Sequence, residues 1–280
     1  MNKILTGALL LLFSSSAAAQ TPRDSIAFAT AQWRTADLGG GAECRYAQID
    51  MFGSRQSISV ATYPGRRFTT SIVHLDRRAE STSDLGKAAG AEIAVNGSYF
   101  NVKTFEPVTF VLLDRKIVGR TTPEEAFRTN GVIAFKDRKG RRMEIFPCDT
   151  TQYADVARRY RSALAAGPVL IDGGKVVEYT SGSSFYTRRH PRTLIGKRAD
   201  GTVVMAVIDG RFKGQGDGAT IAETAYIARQ LGLTEALNLD GGGSSTLWTV
   251  QEGVLNHPYD NRRFDHEGER GVPNCIVVRR

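Results

Sequence analysis

Residues 44–52 and 57–63 alternate apolar with polar positions, the period of two that predicts strands with one buried face. Shorter apolar runs at 92–95, 108–113, 131–135, 142–146, 168–171 and 193–197, parted by charged or glycine turns, predict further strands. Residues 81–89 open on serines and stop at Gly90, which predicts a short helix, and 155–164 reads as another.

The last third is the most clearly patterned. An apolar run at 203–208 ends at Asp209-Gly210-Arg211, and a glycine-rich loop follows at 214–218. Residues 220–231 then place Ile221, Ala225 and Ala228 on one helical face, with Gly232 as the stop. A short buried run at 236–239 leads into Asp240-Gly241-Gly242-Gly243-Ser244-Ser245. This strand–loop–helix–strand order predicts a βαβ unit with parallel pairing. The chain as a whole reads as α+β: a single compact domain over residues 37–280, on a mixed β-sheet with flanking helices. Residues 20–36 read as a poorly structured leader.

The N-terminus sets the compartment. Lys3 precedes an apolar run at 4–13, and Ala17-Ala18-Ala19 supplies a small-residue cleavage site. That run is shorter than the roughly 20 residues a spanning helix needs, so residues 1–19 read as a cleavable signal peptide. Export to the periplasm or the extracellular space follows, and no later stretch is apolar enough to span a membrane. Cys44, Cys148 and Cys275 allow one disulfide and a spare thiol, or none, and their spacing does not suit a clustered zinc site.

A formal charge of +8 favours anionic partners. The basic clusters are short, at Arg66-Arg67, 136–142 and 158–161, with no basic tail or aromatic-interleaved stripe. A solvated surface explains them better than nucleic-acid binding does.

Candidate chemistry gathers at predicted strand ends, where loops converge. Three glycines after Asp240 cost backbone entropy, and they let main-chain N–H groups approach a ligand closely. Asp240 could serve as acid, base, nucleophile or metal ligand, and Ser244 and Ser245 could donate to a phosphate or sugar. Arg211 and Arg192 suit anion binding. Asn96 and Gly97 could hold substrate or simply turn the chain. The 214–218 loop could offer N–H groups and a helix N-terminus to an anion, although it does not match a nucleotide-binding loop. Glu223 could be catalytic, but Thr220 three residues before it also makes a capping box. Asp209, Asp240 and Asn96 are candidate divalent-metal ligands without a spacing that demonstrates one. His190 reads as structural, and His74, His257 and His266 form no recognisable metal pair.

Taken in order, these motifs resemble the phosphodiester glycosidase family. The resemblance runs from Val95-Asn96-Gly97-Ser98-Tyr99-Phe100 through Gly167-Pro168-Val169-Leu170, His190-Pro191-Arg192-Thr193 and Ile208-Asp209-Gly210-Arg211. It continues through the 220–232 helix to Asn238-Leu239-Asp240-Gly241-Gly242-Gly243-Ser244-Ser245-Thr246. Family members commonly carry a serine in the 215–219 loop, where this chain has Gly216 or Asp217. The resemblance implies hydrolysis of a sugar-1-phosphodiester at the anomeric carbon, on a phosphorylated or anionic glycan. Asp240 would act as nucleophile or base, with Asp209 or Glu223 as second carboxylate, and Arg192, Arg211, Asn96, Gly97 and residues 241–245 would bind substrate. A different glycosidase or phosphodiesterase on the same scaffold, and a non-catalytic polysaccharide-binding protein, are the alternatives.

Overall fold

The computed structural model describes residues 21–138 and 140–280; the segment at 1–19, expected to be a signal peptide, lies outside them. In chain order, α1 (Pro22–Ala29) precedes β1 (Arg34–Gly39), β2 (Ala42–Met51), β3 (Ser54–Pro64) and β4 (Thr69–His74). There follow α2 (Thr82–Ala88), β5 (Ile93–Asn96), β6 (Val111–Leu113), β7 (Lys116–Gly119), β8 (Gly131–Phe135) and β9 (Met143–Pro147). Next come α3 (Tyr153–Arg159), β10 (Ser162–Ala166), β11 (Val169–Asp172), β12 (Lys175–Val176) and α4 (Ser184–Thr187). The last third holds β13 (Arg192–Lys197), β14 (Thr202–Ile208), α5 (Ile221–Gln230), β15 (Glu235–Asn238), β16 (Leu247–Thr249), β17 (Gly253–Val254) and β18 (Asn274–Arg279).

An eight-stranded sheet, ordered β1-β2-β3-β14-β13-β15-β11-β12, forms the backbone of the molecule. Two five-stranded sheets, β7-β6-β10-β8-β9 and β17-β16-β5-β18-β4, pack against one of its faces. Ile195 and Leu237 of the large sheet meet Ile133 and Leu164 of the second and Ile93 and Ile276 of the third in one apolar core. On its other face, Ile221, Ala225, Tyr226 and Ile227 of α5 and Phe28 of α1 cover Ile58, Leu194 and Ala236. The alternation of side chains along β13 and β14 therefore serves two cores at once, which is why Leu194-Ile195 of β13 and the 203–208 run of β14 are apolar on both faces.

The α+β class holds, but the mixed sheet does not: every ladder among the described residues is antiparallel. The β14–α5–β15 unit exists, and its two strands run parallel, yet β13 lies between them and pairs antiparallel with both. Local pattern specifies the crossover and leaves open what fills the gap it spans.

The expected leader is also structured. Asp24 accepts from the N–H and hydroxyl of Thr21 and from the N–H of Phe52, and Phe28 is buried, so α1 is tied to the large sheet and β1 pairs with β2. The predicted helix at 155–164 stops at Arg159, because 162–166 is β10. Its Leu164 faces the central core while Ala163 and Ala165 face a separate cluster with Tyr160, an alternation that alanine-rich composition hides.

Candidate active site

Strand β15 ends at Asn238, Leu239 stays in the core, and the chain then turns at Asp240 under the control of β5. The N–H of Asp240 donates to the carbonyl of Gly97 at 3.0 Å, and its carbonyl accepts from Asn96 Nδ2 at 2.7 Å. Asn96 Oδ1 in turn accepts from Thr193 Oγ1 at 2.9 Å and the N–H of Thr246 at 3.1 Å. Asn96 is thus a clamp between three chain segments, and its side chain has no oxygen left aimed at a ligand. Gly97 is obligatory: a Cβ there would overlap the side chain of Asn274.

The glycine loop after Asp240 is packed as tightly. A Cβ on Gly241 would lie 2.6 Å from the carbonyl oxygen of Pro191, and one on Gly243 would overlap Asp260 and Arg270. Gly242 adopts φ +64, and a Cβ there would stand 3.3 Å from Arg211 Nη2. Close approach therefore explains the three glycines, and the N–H of Gly241 points back to Asp240 Oδ1 at 2.9 Å. The hydroxyls of Ser244 and Ser245 are buried, and that of Ser244 acts on the Asp240 carboxyl.

Asp240 keeps partial solvent exposure, yet desolvation dominates its carboxyl and pushes its pKa up to about 6. The Ser244 hydroxyl, the charges of Arg128 and Arg270 and the N–H of Gly241 act the other way without cancelling it. A carboxyl in this range can hold or release a proton near neutral pH. Arg270 is braced by a bidentate pair with Asp260, both bonds 2.8 Å. Arg128 lies on the face of Tyr99 at 4.0 Å, with its Nε donating to Glu125 at 2.5 Å. Arg211 is exposed, holds φ +69 and sets its guanidinium 5.0 Å from the Tyr259 ring, beside Gly242.

The other expected site residues are spent elsewhere. Arg192 is buried, and donates to the carbonyls of Ala219 at 2.9 Å, Phe185 at 2.6 Å and Arg188 at 3.2 Å. Desolvation depresses its pKa to about 10. Glu223 completes the capping box of α5, accepting from the N–H of Thr220 at 2.8 Å, and pairs with Arg189 at 2.6 Å. Asp209 is buried, and both its oxygens are saturated. Oδ1 accepts from the N–H of His257 at 2.9 Å and from Asn256 Nδ2 at 3.1 Å; Oδ2 accepts from Ser57 Oγ at 2.6 Å and His257 Nδ1 at 2.9 Å. Asn256 Nδ2 also donates to the carbonyl of Ser245, so Asp209 reaches the glycine loop only through this amide.

The 214–218 loop likewise turns the N–H groups of residues 214–217 inward. The N–H of Gly214 donates to Asp217, those of Gln215 and Gly216 to the carbonyl of Phe212, that of Asp217 to Arg55, and Thr220 at the helix end to Glu223. With Asn96 and Asp209 oxygens taken by donors, the trio expected for a divalent metal forms no ligand set; among the described residues no group of three or more His, Cys, Asp or Glu does so. The three cysteines are buried free thiols.

Arg128, Arg270 and the Asn256-His257 pair carry no sequence motif, and only the fold brings them to these positions. Two cavities open on the β2–β3 side, one of about 1190 Å³ lined by Phe52, Arg55 and Phe264, the other about 320 Å³ beside Tyr46, His257 and His266. Asp240 lines neither; what sets it apart as a candidate is its raised pKa together with the charges of Arg128 and Arg270. No helix among the described residues is long and apolar enough to cross a membrane.

Comparison with known proteins places this geometry. The phosphodiester glycosidase family model matches residues 89–279, which include Asp240, its glycine loop, Arg128 and Arg270. The N-acetylglucosamine-1-phosphodiester alpha-N-acetylglucosaminidase of Mus musculus is 26% identical over 197 residues, covering 66% of this chain and 37% of the mouse protein. The SPbeta prophage-derived uncharacterized protein YomE of Bacillus subtilis (strain 168) is 37% identical over 90 residues, 32% of this chain and 13% of that one. This chain therefore spans well under half the length of either relative. The catalytic domain of the zebrafish N-acetylglucosamine-1-phosphodiester alpha-N-acetylglucosaminidase superposes with a TM-score of 0.66 at 16% identity, covering 89% of this chain and 88% of that one. A Synechocystis protein superposes at 0.64 and 16%, covering 88% and 63%. These structures share the fold, and with a family match across most of the sequence, the chain belongs to the phosphodiester glycosidase family.

Proposed function

We propose that this protein is an exported hydrolase that cleaves a sugar-1-phosphodiester at its anomeric C1–O bond. The substrate class is an N-acetylhexosamine-type or other cell-envelope or exopolysaccharide glycan. One observation carries the reading: a single carboxyl, Asp240, with a pKa of about 6 and arginine charge from Arg128 and Arg270 on it. A phosphate monoester leaves as a stable anion, so C1–O cleavage needs charge stabilisation at the leaving oxygens more than it needs an acid. Arg211, Arg128 and Arg270 supply that charge. Asp240, ionised above its pKa, supports attack at the anomeric carbon as nucleophile or as base toward water. Asp209 and Glu223, with their oxygens committed, act as positioning residues in this scheme.

The test is product analysis by mass spectrometry after incubation with a panel of sugar-1-phosphodiesters in oxygen-18 water. Label in the released sugar supports C1–O cleavage. Label in the phosphate makes the protein a phosphodiesterase, and binding without turnover across the panel leaves a glycan-binding role.

A further inference from the structure

Among the exposed apolar side chains, Phe127 differs from the rest in what holds it. It is 54% exposed. Single exposed apolar residues are ordinary on protein surfaces, and Ile26, Val102 and Val250 need no further account. Phe127 is instead the outer end of a braced aromatic stack. Its ring meets Phe185 at 6.1 Å, edge to face, and Tyr186 at 6.4 Å. Its carbonyl accepts from the Tyr186 hydroxyl at 2.9 Å, and Phe185 continues inward to Tyr99 at 6.3 Å. The next residue is Arg128, whose guanidinium lies 5.8 Å from the Phe127 ring, 5.0 Å from Phe185 and 4.0 Å from Tyr99. The charge of that guanidinium acts on Asp240. From the interior outward, the order is therefore carboxyl, cation, half-exposed aromatic ring.

We propose that Phe127 is a stacking platform for the sugar on the leaving side of the phosphodiester, with Arg128 holding the phosphate between. The proposal rests on the reading that Asp240 works at the anomeric carbon. With C1 at Asp240, the phosphate falls beside the arginine whose charge acts on that carboxyl, and the second sugar lies one step farther out. A pyranose presents an apolar C–H face with hydroxyls around its rim, which suits a flat ring that is rigid, half exposed and flanked by a charged donor. A lipid or peptide partner would call for a broader apolar patch than one phenyl ring beside a guanidinium.

The experiment compares the wild type with Phe127→Ala and Phe127→Trp on two esters of one hexose 1-phosphate: a hexosyl ester and a methyl ester. Phe127→Ala should raise KM for the hexosyl ester roughly tenfold, with kcat and the methyl ester unaffected, and Phe127→Trp should restore the wild-type value. Calorimetric titration with hexose 6-phosphate, the product on the leaving side, reads the platform without turnover. Saturable binding weakened by Phe127→Ala but kept by Asp240→Asn supports it, even if neither ester is cleaved and the C1–O reading fails. Equal losses on both esters, or no saturable binding to the wild type, overturns it.

Discussion

The Asp209 carboxylate and the His257 imidazole meet at 2.9 Å inside the protein, and the same carboxylate accepts the His257 main-chain N–H. Because the ionised carboxylate can only accept, the ring hydrogen sits on Nδ1, and the other His257 face stacks on Phe264 with centroids 3.7 Å apart. Asp209→Asn sets an amide against at least one of four donors. We expect a loss of roughly 1–3 kcal/mol in urea denaturation, with turnover per folded molecule retained. Abolished turnover at unchanged stability would make Asp209 a reacting group instead.

Asp240 carries the opposite expectation. Its folded pKa, about 6, is raised above the ordinary aspartate value of 3.8, so the folded state binds more protons than the unfolded one between those two pH values. The ionised carboxyl thus weakens the fold above pH 6, and the penalty disappears as pH falls toward the unfolded value. Asp240→Asn should raise thermal stability at neutral pH by up to about 3 kcal/mol, with the gain shrinking below pH 5. The same variant should lose turnover, and wild-type kcat/KM should rise with pH through an apparent pKa near 6. A flat pH profile would remove Asp240 from the chemistry.

The two arginines named by sequence motif should separate cleanly. Arg192→Ala removes a buried cation that three carbonyls depend on, and we expect a loss of about 3 kcal/mol or more, seen as a lower midpoint in chemical denaturation. Arg211 is exposed beside Gly242, so Arg211→Ala should leave stability within about 0.5 kcal/mol. Its KM for a sugar-1-phosphodiester should rise roughly tenfold or more, because a charge-assisted contact to phosphate is lost.

Residues that punctuate the chain were legible in sequence. Gly232 stops α5, Thr220 and Glu223 cap it, and Asp240 ends a buried strand, since each of these is a local event. What was not legible depends on distant partners. The Gly243 requirement comes from Asp260 and Arg270, which no pattern ties to it, and the antiparallel insertion of β13 between β14 and β15 is set by pairing. The same holds for the expected anion loop at 214–218. Its glycines were visible, but the Asp217 carboxylate that fills the turn could be read equally as free. The alanine-rich β10 is not legible in the sequence because burial on two faces leaves no polar phase to reveal a strand.

Glu223 gives the sharpest separation between a local reading and a catalytic one. Its Oε2 accepts from the N–H of Thr220 and its carboxylate pairs with Arg189, which itself donates to the carbonyl of Phe52. Glutamine serves a capping box as well as glutamate does, so Glu223→Gln keeps the helix start and weakens only the ion pair. Arg189 is partly exposed, so screening limits that loss to about 1 kcal/mol. We expect a small drop in thermal midpoint and unchanged kcat and KM on whichever phosphodiester the wild type cleaves. A variant that folds with the wild-type midpoint yet loses turnover would restore Glu223 as the second carboxylate, with Arg189 as the group that holds it in place.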